Sequence, residues 1–462
     1  MPEDINLRVI SALLEVKGAI AMPYTRDTIL YAMEEILNTD LPDGEVNERV
    51  DQQFTLNVFY YLLCINGIYF KAEDLQDNFS MEEFNAAMLP VNNVPDYNSF
   101  TCCIKGVRLI KYLMEDPIYV TLLREYIDNE YGCTVEQYLG FYLRWGQIQG
   151  NNVDVPEHDS EFSILSKLSQ RVDGVKEIQR LTALKISPVY KTKKNEFVIL
   201  DKSFFVGKIY YQFIYEFWFS CVKIKSKISA KVYFSKIGLF FETYCSDLLL
   251  KLFSYLKHPV PLSLNELKYD SGTGVKELID FYARENRNVF FAEFKLGNLN
   301  DNDRYSGNVD GLYSKGQETF FKNLEQLSSA IGNMEILQGN FDQKLELGKR
   351  LTVYPVCILN DTIYEFPTMK QTFWKKWEDI RKKYPELEVK PLVILQIEEL
   401  EDLVYHLAPN GEAKKAWKIL NEHCKIKNKR RKFSLSGLDA FPLDYQTDMD
   451  EELQGYMDAY IN

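Results

Sequence analysis

The sequence predicts a mixed α+β or α/β protein in two parts, an all-helical N-terminal half followed by a core in which helices and strands alternate. Three observations carry this. Up to about Gly150 apolar residues recur at helical spacing, as in VISALLEV from Val9, ILYAMEEIL from Ile29 and VTLLREYI from Val120. Two apolar runs, KELIDFYA (Lys276 to Ala283) and NVFFAEFKLG (Asn288 to Gly297), flank a stretch rich in Arg, Asn and Glu and read as a hairpin. Beyond them GQETFFKNLEQLSSAIG (Gly316 to Gly332) repeats Phe320, Leu324, Leu327 and Ile331 at helical spacing. LTVYPVCIL (Leu351 to Leu359) and PLVILQI (Pro391 to Ile397) then read as strands.

Turn clusters divide the chain. LPDGE (Leu41 to Glu45) and VNNVPDYN (Val91 to Asn98) separate the early helices, and GNNVDVPEHDSE (Gly150 to Glu161) is polar enough for a linker. A helix is expected from Ser163 to Leu181. VYKTKKNEFVIL follows as a hairpin turning at Lys193, Lys194 and Asn195, and leads into an aromatic-rich helix. Four segments result. Residues 1–160 form a helical sensor, regulatory or partner-binding domain, and 161–235 a Lys-rich connector that packs on the core. Residues 236–410 form the core, and 411–462 a polar extension with the basic cluster KIKNKRRK and an acidic end.

At 462 residues, with 46% hydrophobic and 14% aromatic content, the chain can bury two or three cores. A net charge of −13 argues against a generic nucleic-acid coat. The distribution is uneven, however: Lys185 to Lys236 holds eleven lysines against three acidic residues, a local net of +8. Eight cysteines without Cys-x-x-Cys spacing give neither a disulfide framework nor a zinc signature, and the four histidines are dispersed. The N-terminus lacks the basic start of a secretory signal. The most apolar stretch, IYYQFIYEFWFSCV from Ile209, is interrupted by Glu216 and too short for a membrane span. A reduced, cytoplasmic protein without membrane association is expected.

The chemistry concentrates at the hairpin. Side chains alternate along a strand, so Glu293 and Lys295 share one face while Phe290, Ala292 and Phe294 fill the other. An acidic residue, any residue, then Lys also occurs at Glu15, Glu266, Asp342, Glu388 and Glu412. What sets Glu293 apart is an apolar strand before it, Asp280 on the preceding run, and Glu242 upstream in GLFFETYCSDLLLKLF. On Asp280, Glu293 and Lys295, with Gly238, Phe241 and Glu242 on the earlier helix, the stretch from about 236 to 408 resembles the PD-(D/E)XK nuclease superfamily, although Ile279 stands where Pro is usual.

The resemblance implies a restriction-endonuclease-like αβββαβ core and a Mg²⁺ site, with Mn²⁺ substituting. Asp280, Glu293 and the Phe294 backbone carbonyl would be ligands, Glu242 would complete the shell or serve a second metal, and Lys295 would hold or help deprotonate the attacking water. The function implied is a metal-dependent endonuclease acting on DNA. Chains of this plan look like prokaryotic anti-phage or restriction effectors. Lys322 and Gln326, four apart on one face of the later helix, and Lys223, Lys225, Lys227 and Lys231 ahead of Glu242 are the expected DNA contacts. Double-strand cleavage by a single-site enzyme would suggest a homodimer. SGTGVK (Ser271 to Lys276) lacks P-loop spacing and precedes a strand, so an energy-dependent step would need a separate ATPase or sensor subunit. The alternative is a non-catalytic DNA-binding or scaffold protein working through the helical domain. A carboxylate-pair glycosidase has no use for Lys295.

Overall fold

The structure, a computed structural model, describes residues 26–39, 52–69, 98–148, 150–170, 180–192, 194–254, 260–297, 316–361, 367–407 and 414–425. They mix helices with strands and fall into two units, one holding the described residues up to Ala230 and the other those from Lys231 onward. Among them no helix is long and apolar enough to cross a membrane. All eight cysteines are free thiols.

In the first unit the order is α1 (Arg26–Asn38), α2 (Gln52–Tyr69), α3 (Ser99–Met114), α4 (Pro117–Tyr131), α5 (Val135–Gln147), β1 (Asn152–Val153), α6 (Ser160–Leu168), α7 (Thr182–Ile186), β2 (Val189–Lys191), β3 (Phe197–Ile199), α8 (Lys202–Gly207) and α9 (Tyr211–Phe217). A π-helical turn, Trp218–Val222, carries α9 on into Lys223–Lys225. Local chemistry sets the helix ends. Asn98 accepts from the N–H groups of Phe100 and Thr101, and Thr134 and Gln137 close a capping box. Gly132 ends α4 at φ 65°, where a Cβ would also meet Ser163 Oγ at 2.9 Å.

The early ILYAMEEIL and VTLLREYI runs lie in α1 and α4, while VISALLEV and LPDGE lie outside the described residues. Three departures from expectation follow. The stretch read as a polar linker supplies β1, which pairs with β3 and buries Val153, so the unit adds a three-stranded antiparallel sheet, β1-β3-β2, to its helices. The helix expected from Ser163 to Leu181 ends at Leu168, and residues 171–179 lie outside the description. The hairpin after it is β2–β3, turning through Asn195 at φ 63°, and these residues belong to the first unit.

The second unit runs α10 (Ala230–Ser254), β4 (Val260–Ser263), a 3₁₀ turn (Leu264–Leu267), β5 (Lys268–Asp270), β6 (Val275–Glu277), β7 (Phe281–Glu285), β8 (Asn288–Lys295), α11 (Gly316–Gly332), α12 (Met334–Asn340), β9 (Thr352–Leu359), α13 (Pro367–Arg381), β10 (Glu388–Val389), β11 (Val393–Gln396), α14 (Ile397–Leu407) and α15 (Lys414–Lys425). Its six-stranded sheet has the order β4-β7-β8-β9, with β10 and β11 both pairing with β9. The β4–β7 and β7–β8 pairs are antiparallel; β9 runs parallel to β8, β10 and β11. The run Val289–Phe294 is wholly buried, as a strand covered on both sides must be. Phe253 of α10 sets its ring 5.9 Å from Phe281, 5.1 Å from Phe290 and 5.6 Å from Trp417 of α15, placing those two side chains on the face opposite Glu293.

The central hairpin is tighter than the sequence suggests. Arg284 and Glu285 remain in β7, and a two-residue turn, Asn286–Arg287, joins it to β8 with Asn286 at φ 56°. Nor is KELIDFYA one strand: Lys276 and Glu277 end β6, Leu278 and Ile279 are buried between strands, and β7 starts at Phe281.

Candidate active site

Three neighbouring strands of the second unit build the site at the end of β8. The antiparallel register pairs Phe281 with Ala292, so the next position sets Asp280 beside Glu293. The contact is fixed from the backbone, because Phe294 N–H donates to Asp280 Oδ2 at 2.7 Å. A strand residue turns its N–H and C=O to the same side. The Phe294 carbonyl therefore also faces the Asp280 edge, whereas Lys295 turns its carbonyl to β9 and accepts from Asn360 N–H at 3.1 Å.

Asp280 is 7% exposed and Glu293 1%. Glu293 Oε2 is buried without a hydrogen-bond partner. Burial, then the Asp280 charge, pushes the Glu293 carboxyl well above the ordinary range, against the pull of Lys295. Burial likewise raises Asp280, although the Phe294 N–H bond and Lys295 oppose it. A buried carboxylate with an unsatisfied oxygen is costly unless it is protonated or meets a cation. Lys295, half-buried two residues along, lies on the Glu293 face. Across the parallel ladder Glu293 pairs with Cys357, whose thiol burial holds well above its usual value, so that neighbour is an inert wall.

Glu242, half-buried on α10, belongs to the same electrostatic group: burial, then Asp280, raises it to about 7 while Lys295 pulls it down. Two residues escaped the sequence reading. Glu277 is solvent-exposed at the end of β6, yet desolvation by its surroundings and then Asp280 raise it, while Lys268 and Lys295 oppose the shift. Lys268 is its register partner on β5. The only sequence cue was the Ser-Gly-Thr-Gly turn between KYD and VKE.

A divalent cation fits this pair. Glu293 Oε2 is an orphaned acceptor, the Phe294 carbonyl faces the same edge, and hard oxygen donors suit Mg²⁺ or Mn²⁺. Among the described residues no group of three or more His, Cys, Asp or Glu side chains is disposed to hold a metal. Side-chain ligation here would rest on Asp280 and Glu293, with other positions taken by backbone and water.

The expected DNA contacts fall in both units. Lys322 and Gln326 are both exposed on α11, which packs on β8. On that helix Asn323 is buried, 0% exposed, with neither amide atom partnered among the described residues. Lys223, Lys225 and Lys227 are exposed near the end of the first unit, and Lys231 is exposed at the start of α10. Lys225 is engaged, its ammonium 2.5 Å from Glu125 Oε1, and Lys223 lies over the Phe219 ring at 5.4 Å. SGTGVK is a β-turn entering β6.

Set against protein families, curated proteins and solved structures, the chain matches none of them.

Proposed function

We propose that the chain is a metal-dependent endonuclease that hydrolyses DNA phosphodiester bonds. The observation that supports this most is the buried Asp280–Glu293 pair, tied to the Phe294 backbone, with an orphaned carboxylate oxygen and an ammonium on the same strand face. The order α10, three antiparallel strands, α11 and a parallel strand agrees with the αβββαβ plan that the sequence resembles. The helical first unit would serve recognition or regulation, as in a defence or restriction effector.

A phosphodiester resists hydrolysis because an anionic nucleophile must approach an anion and an alkoxide must leave. Asp280, Glu293 and the Phe294 carbonyl would hold Mg²⁺, with Mn²⁺ substituting. Bound there, the ion supplies an acidified water and shields charge on the phosphate oxygens. Lys295 holds the attacking water on the Glu293 face and offsets charge on the scissile phosphate. Glu242, on α10, would complete the shell or serve a second metal. The buried strands β8 and β9 keep these groups rigid, so little reorganisation is needed. Double-strand cleavage by such a single-site chain would suggest a homodimer, and an energy-dependent step would need a separate subunit.

The test is hydrolysis of supercoiled plasmid, linear duplex and single-stranded DNA in Mg²⁺, Mn²⁺ or EDTA, with Lys295→Ala alongside. Metal-dependent cleavage that the variant loses while it stays folded is expected. A folded wild type inert with every metal and substrate, or a variant as active as wild type, contradicts the proposal.

A further inference from the structure

Among the described residues the β5–β6 hairpin stands outside the six-stranded sheet and pairs only with itself. Its side chains at Lys268, Asp270, Thr273, Val275, Lys276 and Glu277 are exposed, Val275 at 75%, so hydrophobic burial does not explain the arm. It is nonetheless well formed. Three register pairs join the strands, Gly272 and Gly274 take φ 77° and 137° at the tip, and Gly272 N–H donates to Asp270 Oδ1 at 2.8 Å. At the base, Leu278 N–H donates to Leu267 O at 2.9 Å, both leucines being buried. Only Leu278 and Ile279 separate Glu277 from Asp280. The arm is thus a solvated, hydrogen-bonded ribbon anchored beside the carboxylate pair.

We propose that this arm positions the DNA substrate, with Lys268 at its base binding a phosphate next to the scissile one. The inference rests on the nuclease reading of the Asp280–Glu293 site. Lys268 pairs in register with Glu277, donates to Asn265 Oδ1 at 2.6 Å, and is close enough to act electrostatically on both Glu242 and Glu277. The site therefore has one ammonium within it, Lys295, and a second at its rim. Three residues per strand carry the turn roughly 10 Å beyond the base. A two-stranded ribbon is narrow enough for the DNA major groove, which is about 12 Å wide. A base anchored beside the carboxylates and a free tip suit a strand that must be held while its backbone is cut.

The experiment uses the full chain and three variants: Lys268→Ala, Lys268→Arg, and an arm whose Ser271–Gly274 turn is replaced by Asn-Gly. Steady-state cleavage of a labelled duplex in Mg²⁺ is read with Mn²⁺ binding by calorimetry. Expected are a KM raised about fivefold or more for Lys268→Ala and the short arm, kcat within about twofold, unchanged Mn²⁺ binding, and recovery in Lys268→Arg. Unchanged KM in both Lys268→Ala and the short arm overturns the inference while leaving the nuclease reading intact, and so does loss of Mn²⁺ binding in Lys268→Ala. If the wild type cleaves nothing, the nuclease reading fails by itself. Duplex binding in EDTA then decides the arm: weaker binding by both altered arms supports it, and equal or no binding overturns it.

Discussion

Phe294 donates its backbone N–H to Asp280 Oδ2 at 2.7 Å, locking a residue just ahead of β7 to the central residue of the Glu293–Phe294–Lys295 triplet. One carboxylate thus has a structural bond and, in the proposed chemistry, a ligand role. The two are separable. Asp280→Asn keeps an oxygen acceptor for Phe294 and should fold with wild-type stability within about 1 kcal/mol, yet bind no divalent cation. Asp280→Ala leaves a buried N–H unpaired and should cost about 1–3 kcal/mol besides. Urea denaturation of the two variants, with Mn²⁺ titration of each, checks both statements.

Stability without metal should fall as pH rises. A carboxyl whose folded pKa is raised holds its proton more tightly folded than unfolded. Its contribution is full below the unfolded value of 4.5 and is lost as pH climbs through the folded one, about 7 for Glu242 and well above the ordinary range for Glu293. Unfolding midpoints in EDTA should therefore drop between about pH 5 and pH 8, and Mg²⁺ should restore them. Glu293→Gln should flatten the profile and stabilise the metal-free protein at about pH 8 by on the order of 1–3 kcal/mol. A wild-type midpoint that does not change with pH would count against the pair being strained by burial.

Asp342, just after α12, accepts from Tyr282 Oη at 2.7 Å and from Arg284 Nη2 at 2.9 Å, fastening the segment before β9 to β7. Burial alone would raise its carboxyl, but Arg284 and Tyr282 outweigh it and hold the group below its usual range. Asp342→Ala strands a mostly buried guanidinium and should lower unfolding free energy by about 3–5 kcal/mol, with Asp342→Asn costing less. Thermal melts of both variants at neutral pH test this.

If the lysines ahead of Glu242 meet DNA phosphates, removing them should weaken binding for every sequence alike. The slope of log K against log salt should drop by about 1 for each of Lys223, Lys227 and Lys231 changed to Ala. Lys225→Ala should change it less, because Glu125 already neutralises that ammonium. Anisotropy of a labelled duplex in EDTA across a salt series measures the slopes.

Part of the second unit was legible, because β8, β9 and β11 are unbroken apolar runs and α11 carries a clear helical stripe, whereas β4, β10, α12 and α13 were not foreseen. Alternation also assigned Glu293 and Lys295 to one face. The β5–β6 arm was not legible: Val275, Lys276 and Glu277 merge in sequence with the buried residues that follow, and no periodicity marks where an exposed ribbon meets a sheet strand. The two-residue turn hid for a similar reason, since Arg284 and Glu285 look like turn residues but stay in the ladder, Arg284 buried against Asp342. In the first unit β1 passed for a linker because two residues, only Val153 of them buried, carry no pattern. Glu277 and Lys268 meet through pairing across the arm, a relation that spacing along the chain does not encode.

The claim on which the rest depends is that Asp280 and Glu293 form a divalent-cation site. Calorimetric titration of Mn²⁺ into metal-free wild type and Glu293→Gln at neutral pH tests it most directly. Saturable binding of about one ion per chain in the wild type, lost in a Glu293→Gln protein that remains folded, is the predicted result. Equal binding in both proteins, or none in the wild type, would contradict it.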